Sequence, residues 1–181
     1  MNNSPEIFLS YAHKDKQDVD ELYDLLTFKY KLSIWKDTQS IRTGHDFREE
    51  IYFGIQNSAL VLACISQAYI DSKTCLKEIK LANTLDKKCI FVLLENLSID
   101  KIPAVSLLVI GEQRCLIYKN RVNNPHSKLW VGDIFKKLTA DIGALLKKDL
   151  KQFDDVTVFK IKKTKEKFHV FISHCKKTVW I

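Results

Sequence analysis

An acid at the margin of a packed helix face is partly withdrawn from water, and such carboxylates are the ones most often put to chemical use. Residues 71–85 offer this setting. Asp71 and Ser72 are helix-capping residue types, and nothing from Lys73 to Leu85 breaks a helix. Cys75, Ile79 and Ala82 fall on one stripe at helical spacing, with Leu76 and Leu85 on its flanks. Glu78 follows Cys75 by three residues, so it projects from the same side, at the stripe's edge. Lys77 and Lys80 lie on the far face, where solvent is expected. The plain alternative is a solvated surface glutamate.

Other reactive types are less organised. The five cysteines (64, 75, 89, 115, 175) are odd in number and unrelated in spacing, with no Cys-x-x-Cys pair and no Cys/His cluster. No metal site is expected. Cys64, Cys89 and Cys115 sit in or beside apolar runs, as small buried hydrophobes do, which suggests a reducing, cytoplasmic compartment. Cys75 reads as a packing residue rather than a nucleophile, since no histidine is placed to activate it. His13 and His45 are loop residues, and His126, His169 and His174 carry no pattern.

The 181 residues suit one domain with a real core and an appendage. No basic, apolar leader opens the chain, and its longest apolar run, Ala59 to Ile65, is far too short to cross a bilayer. The net charge of +7 is unevenly placed: residues 1–146 hold 19 Lys and Arg against 18 Asp and Glu, and residues 147–181 hold 10 Lys against 4 acids. A near-neutral body with no basic stripe argues against a nucleic-acid reader.

The elements that must position Glu78 alternate in type. Short apolar runs at 6–10, 32–35, 59–65, 89–94 and 114–118 read as strands. Between them, helices are expected from Asp18 (stripe Val19, Leu22, Tyr23, Leu26, Tyr30), over 46–57 (Phe47, Ile51, Ile55) and over 73–85, with a last one over 127–146 (Val131, Ile134, Phe135, Leu138, Ile142, Leu145). This alternation implies an α/β fold: a flavodoxin-like, five-stranded parallel sheet of order 2-1-3-4-5 with helices on both faces. Ligands of such sheets gather at the strands' carboxyl ends. A dinucleotide-binding turn and a P-loop are excluded, because Ser-Tyr-Ala-His-Lys-Asp after the first strand has no glycine. Ser10 and Ser66, where a phosphorelay receiver places acids, exclude that class too.

Three stretches in order then carry a resemblance. Ile-Phe-Leu-Ser-Tyr (7–11), Ile-Trp-Lys-Asp-Thr-Gln-Ser-Ile-Arg-Thr-Gly (34–44) and Ser72-Lys-Thr-Cys75-Leu-Lys-Glu78 together resemble a Toll/interleukin-1 receptor (TIR) domain over residues 5–147. The third is similar to the Ser-x-x-Cys-x-x-Glu pattern of TIR domains that cleave NAD+. The 36–44 loop lacks the proline of many receptor and adaptor members. The resemblance implies either an NAD+ hydrolase releasing nicotinamide and ADP-ribose, linear or cyclic, or a non-catalytic module working through TIR–TIR contacts. A weaker third possibility is a nucleotide sensor that binds NAD+ or a product without turnover. The resemblance assigns catalysis to Glu78, treats NAD+ as substrate with no cofactor, and implies self-association through the 36–44 loop. That loop is polar apart from Ile41, which suits a weak, inducible contact, so a monomer that turns on when concentrated is expected.

Around Glu78, the expected substrate-binding residues are Ser10 and Tyr11 at the end of the first strand, Trp35 at the end of the second, Asp37 and Arg42 in the following loop, and Cys75. Tyr11 could stack on a ring or plug the sheet edge. Trp35 could wall a pocket or lie in the core. Asp37 and Arg42 could meet phosphate or ribose, or cap their loop. Beyond the domain, residues 148–167 read as a basic linker. Residues 168–181 place Val-Phe-Ile-Ser-His where the first strand has Ile-Phe-Leu-Ser-Tyr, an orphan strand resembling the start of a second TIR unit.

Overall fold

The computed structural model describes residues 4–36, 47–95, 97, 114–117 and 130–150. Four strands, β1 (Ile7–Tyr11), β2 (Ile34–Trp35), β3 (Leu60–Ile65) and β4 (Lys88–Leu93), form a parallel sheet in the order β2-β1-β3-β4. The backbone of β5 (Arg114–Ile117) runs parallel alongside β4. β1 and β3 are buried at every position, as interior strands of a sheet covered on both sides must be.

Alternation along β1 divides the core. Ile7, Leu9 and Tyr11 pack on one face with Val19, Leu22 and Leu26 of the α1 region (α1, Lys16–Asp24) and with Phe135, Leu138 and Ile142 of α5 (Gly132–Leu146). Phe8 and Ala12 pack on the other, with Ile51 and Ile55 of α2 (Phe47–Asn57) and with Cys75, Ile79 and Ala82 of α4 (Lys73–Thr84). Between β3 and α4 lies α3 (Gln67–Asp71), a single short turn of helix. On the second face α2 passes so close to Trp35 that a Cβ at Gly54 would meet its indole at 2.7 Å, which is why a glycine stands there.

Most boundaries fall within a residue or two of the expected ones; two findings are larger. α3 fills a stretch for which no element was expected, and Ser66 caps it by accepting the Tyr69 N–H at 3.1 Å. The last helix, expected from Ser127, begins only at Gly132, whose φ of +74° cannot continue a helix backwards. Val131, expected to face inward, is therefore exposed, while Trp130 is buried and donates its Nε1–H to the Asp18 carbonyl at 2.7 Å. Asp37, Arg42, nearly all of the 36–44 loop, His45, His126 and the 151–181 tail, with His169 and His174, lie outside the described residues.

Candidate active site

The site is assembled where β1 and β3 end. Ser10, penultimate in β1, shares the parity of Phe8 and so points to the face covered by α2, α3 and α4. Ser72 caps α4 by accepting the Cys75 N–H at 3.3 Å, and this starts the helix at the phase that turns Cys75 and Ile79 inward. Glu78 then stands half-buried at the rim of that stripe, while Lys77 and Lys80 are exposed. Its carboxylate reaches the sheet: the Ser10 hydroxyl donates to Glu78 Oε2 at 2.5 Å, across 68 residues of sequence. This is the length of a charge-assisted O–H···O⁻ bond.

Cys75 pins α4 to the same strand end, its thiol donating to the Tyr11 carbonyl at 3.5 Å. Burial pushes that thiol up to about 11, with the Glu78 charge adding to the rise, so near neutrality it is a packed thiol and not a thiolate nucleophile. Cys64 and Cys89 are likewise buried and raised. Among the described residues, no group of three His, Cys, Asp or Glu could hold a metal ion.

Sequence reasoning passed over Tyr69, which is fully buried with its hydroxyl 2.6 Å from Ser10 Oγ. Its presence follows from α3, whose cap is shared: Ser66 also donates to Asp15 Oδ2 at 2.5 Å, and Glu95 accepts the Gln67 N–H. A serine closing β3, with Tyr three residues later, is the signal from which it could have been found. The Tyr69 phenol is held well above its ordinary value, first by burial and then by the Glu78 charge, against a smaller opposite pull from Ser10.

The other expected site residues divide. Ser10 and Cys75 join Glu78. The Tyr11 ring does not, because an adjacent residue in a strand must face the other way. It lies 6% exposed among α1 and α5 side chains, with Lys36 Nζ 5.4 Å from its centroid. Trp35 shares Glu78's face but stacks on Phe8 (centroids 4.5 Å apart) under Gly54, in the core. Lys36, which looks like an ordinary loop lysine in sequence, is 1% exposed. It pairs with Asp20 and approaches the Tyr23 ring at 5.1 Å.

The arrangement places a carboxylate, bonded by the Ser10 hydroxyl, at the carboxyl end of a parallel sheet. Such a charge favours a developing cation, and more so as water is excluded.

Comparison with known proteins bears on the family of the chain. Residues 7–118 match the TIR domain family. A stretch of 69 residues is 36% identical to a protein of Methanobrevibacter olleyae named "Probable 2' cyclic ADP-D-ribose synthase TcpO"; it covers 38% of this chain and spans about a fifth (20%) of that relative. Among solved structures, the TIR domain of the Toll-related receptor TRR-2 from Hydra magnipapillata superimposes with a TM-score of 0.58 at 17% identity, over 76% of this chain and 98% of that one. The TIR domains of the activated Roq1 resistosome, which recognises the pathogen effector XopQ, give 0.55 at 16% identity, over 77% and 99%. These two likenesses are of fold. With the family match extending from β1 through β5, the chain belongs to the TIR domain family.

Proposed function

We propose that the chain cleaves NAD+ to nicotinamide and ADP-ribose, with Glu78 stabilising the transition state. The observation that carries this reading is the half-buried Glu78 carboxylate bound by Ser10 at the sheet's ligand-collecting end. The partial match to a relative named as a cyclic ADP-ribose synthase supports the same class.

One carboxylate suffices because of the leaving group. Ordinary glycosidases need a second acid to protonate a departing oxygen. In NAD+ the bond from ribose C1′ to the pyridinium nitrogen breaks with its electron pair moving to nitrogen, so nicotinamide leaves neutral and unprotonated. The ribosyl oxocarbenium ion left behind is stabilised by Glu78, which also accepts from the ribose hydroxyls. Water then adds at C1′ and releases a proton; in a cyclic product a hydroxyl of ADP-ribose takes the place of water. Asp37 and Arg42 are proposed to meet the ribose or phosphates, and Tyr11 and Trp35 to support the site from the core.

We take Arg114–Ile117 as the fifth strand of the sheet. We further propose that TIR–TIR contacts through the 36–44 loop raise turnover in a cytoplasmic protein. Incubating the purified chain with NAD+, first dilute and then crowded on a surface, tests the reading. Nicotinamide release that increases on crowding supports it. NAD+ binding without release would indicate a sensor, and neither would indicate a purely assembling TIR module.

A further inference from the structure

The hydrogen-bond chain behind Glu78 has a direction. An ionised carboxylate only accepts, so Ser10 must spend its single proton on Glu78 Oε2. Ser10 Oγ can then only accept from Tyr69, whose hydroxyl lies 2.6 Å away. The Cys75 carbonyl competes for the Tyr69 proton from 3.3 Å, and the shorter contact prevails. Tyr69 and Ser10 are 0% and 1% exposed, so water does not substitute for either partner.

We propose that Tyr69 is a positioning residue of the active site, acting on Glu78 through Ser10. The relay Tyr69 O–H to Ser10 O–H to carboxylate fixes the acid against the end of β1. This inference rests on the NAD+-cleaving reading for its kinetic consequences, but not for the relay itself. Each donated bond strengthens the next, so removing the phenol hydroxyl weakens the grip on the carboxylate beyond Ser10. The phenol is suited to the role because it stays protonated at any pH near neutrality. Asp15 and Ser66 contribute from further back, since their bond holds the turn that carries Tyr69.

Kinetics and NMR on the whole chain separate this from a structural role. Tyr69→Phe keeps the ring and should lower kcat about tenfold with KM within about twofold, and Ser10→Ala should lower kcat at least as much. Added to Ser10→Ala, Tyr69→Phe should cost nothing more, because the relay is already cut. The hydroxyl proton of Tyr69 should appear as a slowly exchanging downfield resonance, absent in Tyr69→Phe and shifted upfield in both Ser10→Ala and Glu78→Gln. Losses in the double variant that multiply, or a Tyr69 resonance unmoved by Ser10→Ala, would overturn the proposal. If the wild type releases no nicotinamide, the NAD+-cleaving reading fails while the NMR shifts still decide the relay.

Discussion

Two neighbouring residues of β1 open onto two different kinds of polar site. On one face Ser10 meets Glu78 and Tyr69: a half-buried carboxylate accepts from the Ser10 hydroxyl, which the Tyr69 hydroxyl meets in turn. On the other, Tyr11 packs beside Lys36, whose ammonium is buried against two aromatic rings and paired with Asp20, which Lys16 also holds. In the second site the charges answer one another, which is how burial of a lysine is tolerated. In the first, the Ser10 hydroxyl orients the carboxylate against the end of β1, with the Tyr69 hydroxyl behind it. One strand end thus separates the Lys36–Asp20 cluster from the Glu78 cluster, and on the proposed function the two should fail in different ways when altered.

The largest contrast is in geometry. Glu78→Asp keeps the charge but withdraws it by one methylene, and nicotinamide release should fall by about a hundredfold with the melting temperature little changed. On the opposite face, Lys36→Ala should act on stability, costing about 2–4 kcal/mol in a urea titration through the cavity and the broken pair. A variant that lost stability at Glu78, or kept it at Lys36, would erase the distinction. Gly54→Ala sharpens it from within the core on Glu78's own face. Its Cβ would drive into the Trp35 indole, for an expected loss of about 1–3 kcal/mol by thermal or urea unfolding.

A smaller effect separates the faces by pH. Burial alone would raise the Asp20 carboxyl, but hydrogen bonds from Lys16 and Lys36 outweigh it and hold the group below its ordinary 3.8. A depressed folded value adds stability above the unfolded one and loses it as pH falls through the folded one. Asp20→Asn should therefore flatten the acid limb of the stability curve below about pH 4. The change should be under about 1 kcal/mol, because Asp20 is 40% exposed. The smallest expected signal is a null one: with thiols raised to about 11, Cys75 and Cys89 should resist alkylation at pH 8 in the native chain and react once it is denatured.

Glu78 was legible because a long helix repeats its pattern: the Cys75–Ile79–Ala82 stripe locates the margin at which the acid stands. Ser10 was legible from its place at a strand end. Tyr11 was expected on the same side, yet strand parity sends neighbours to opposite faces, and that rule outweighs nearness in sequence. Tyr69 was hidden because the five helical residues of α3 are too few to show a period. Lys36 was hidden for another reason. A lysine in a polar stretch looks solvated, and its burial depends on Tyr11, Tyr23 and Asp20 converging from β1 and α1. The four-strand core was readable from its apolar runs, whereas the start of α5 turned on the backbone angle of a single glycine.

The most direct test of the account is nicotinamide release from NAD+ by Glu78→Gln beside the wild type, with unfolding curves recorded for both. Glu78→Gln should lose about a thousandfold or more of the release while unfolding like the wild type, because the amide keeps the shape and discards the charge. Wild-type turnover in a folded Glu78→Gln chain would contradict the account.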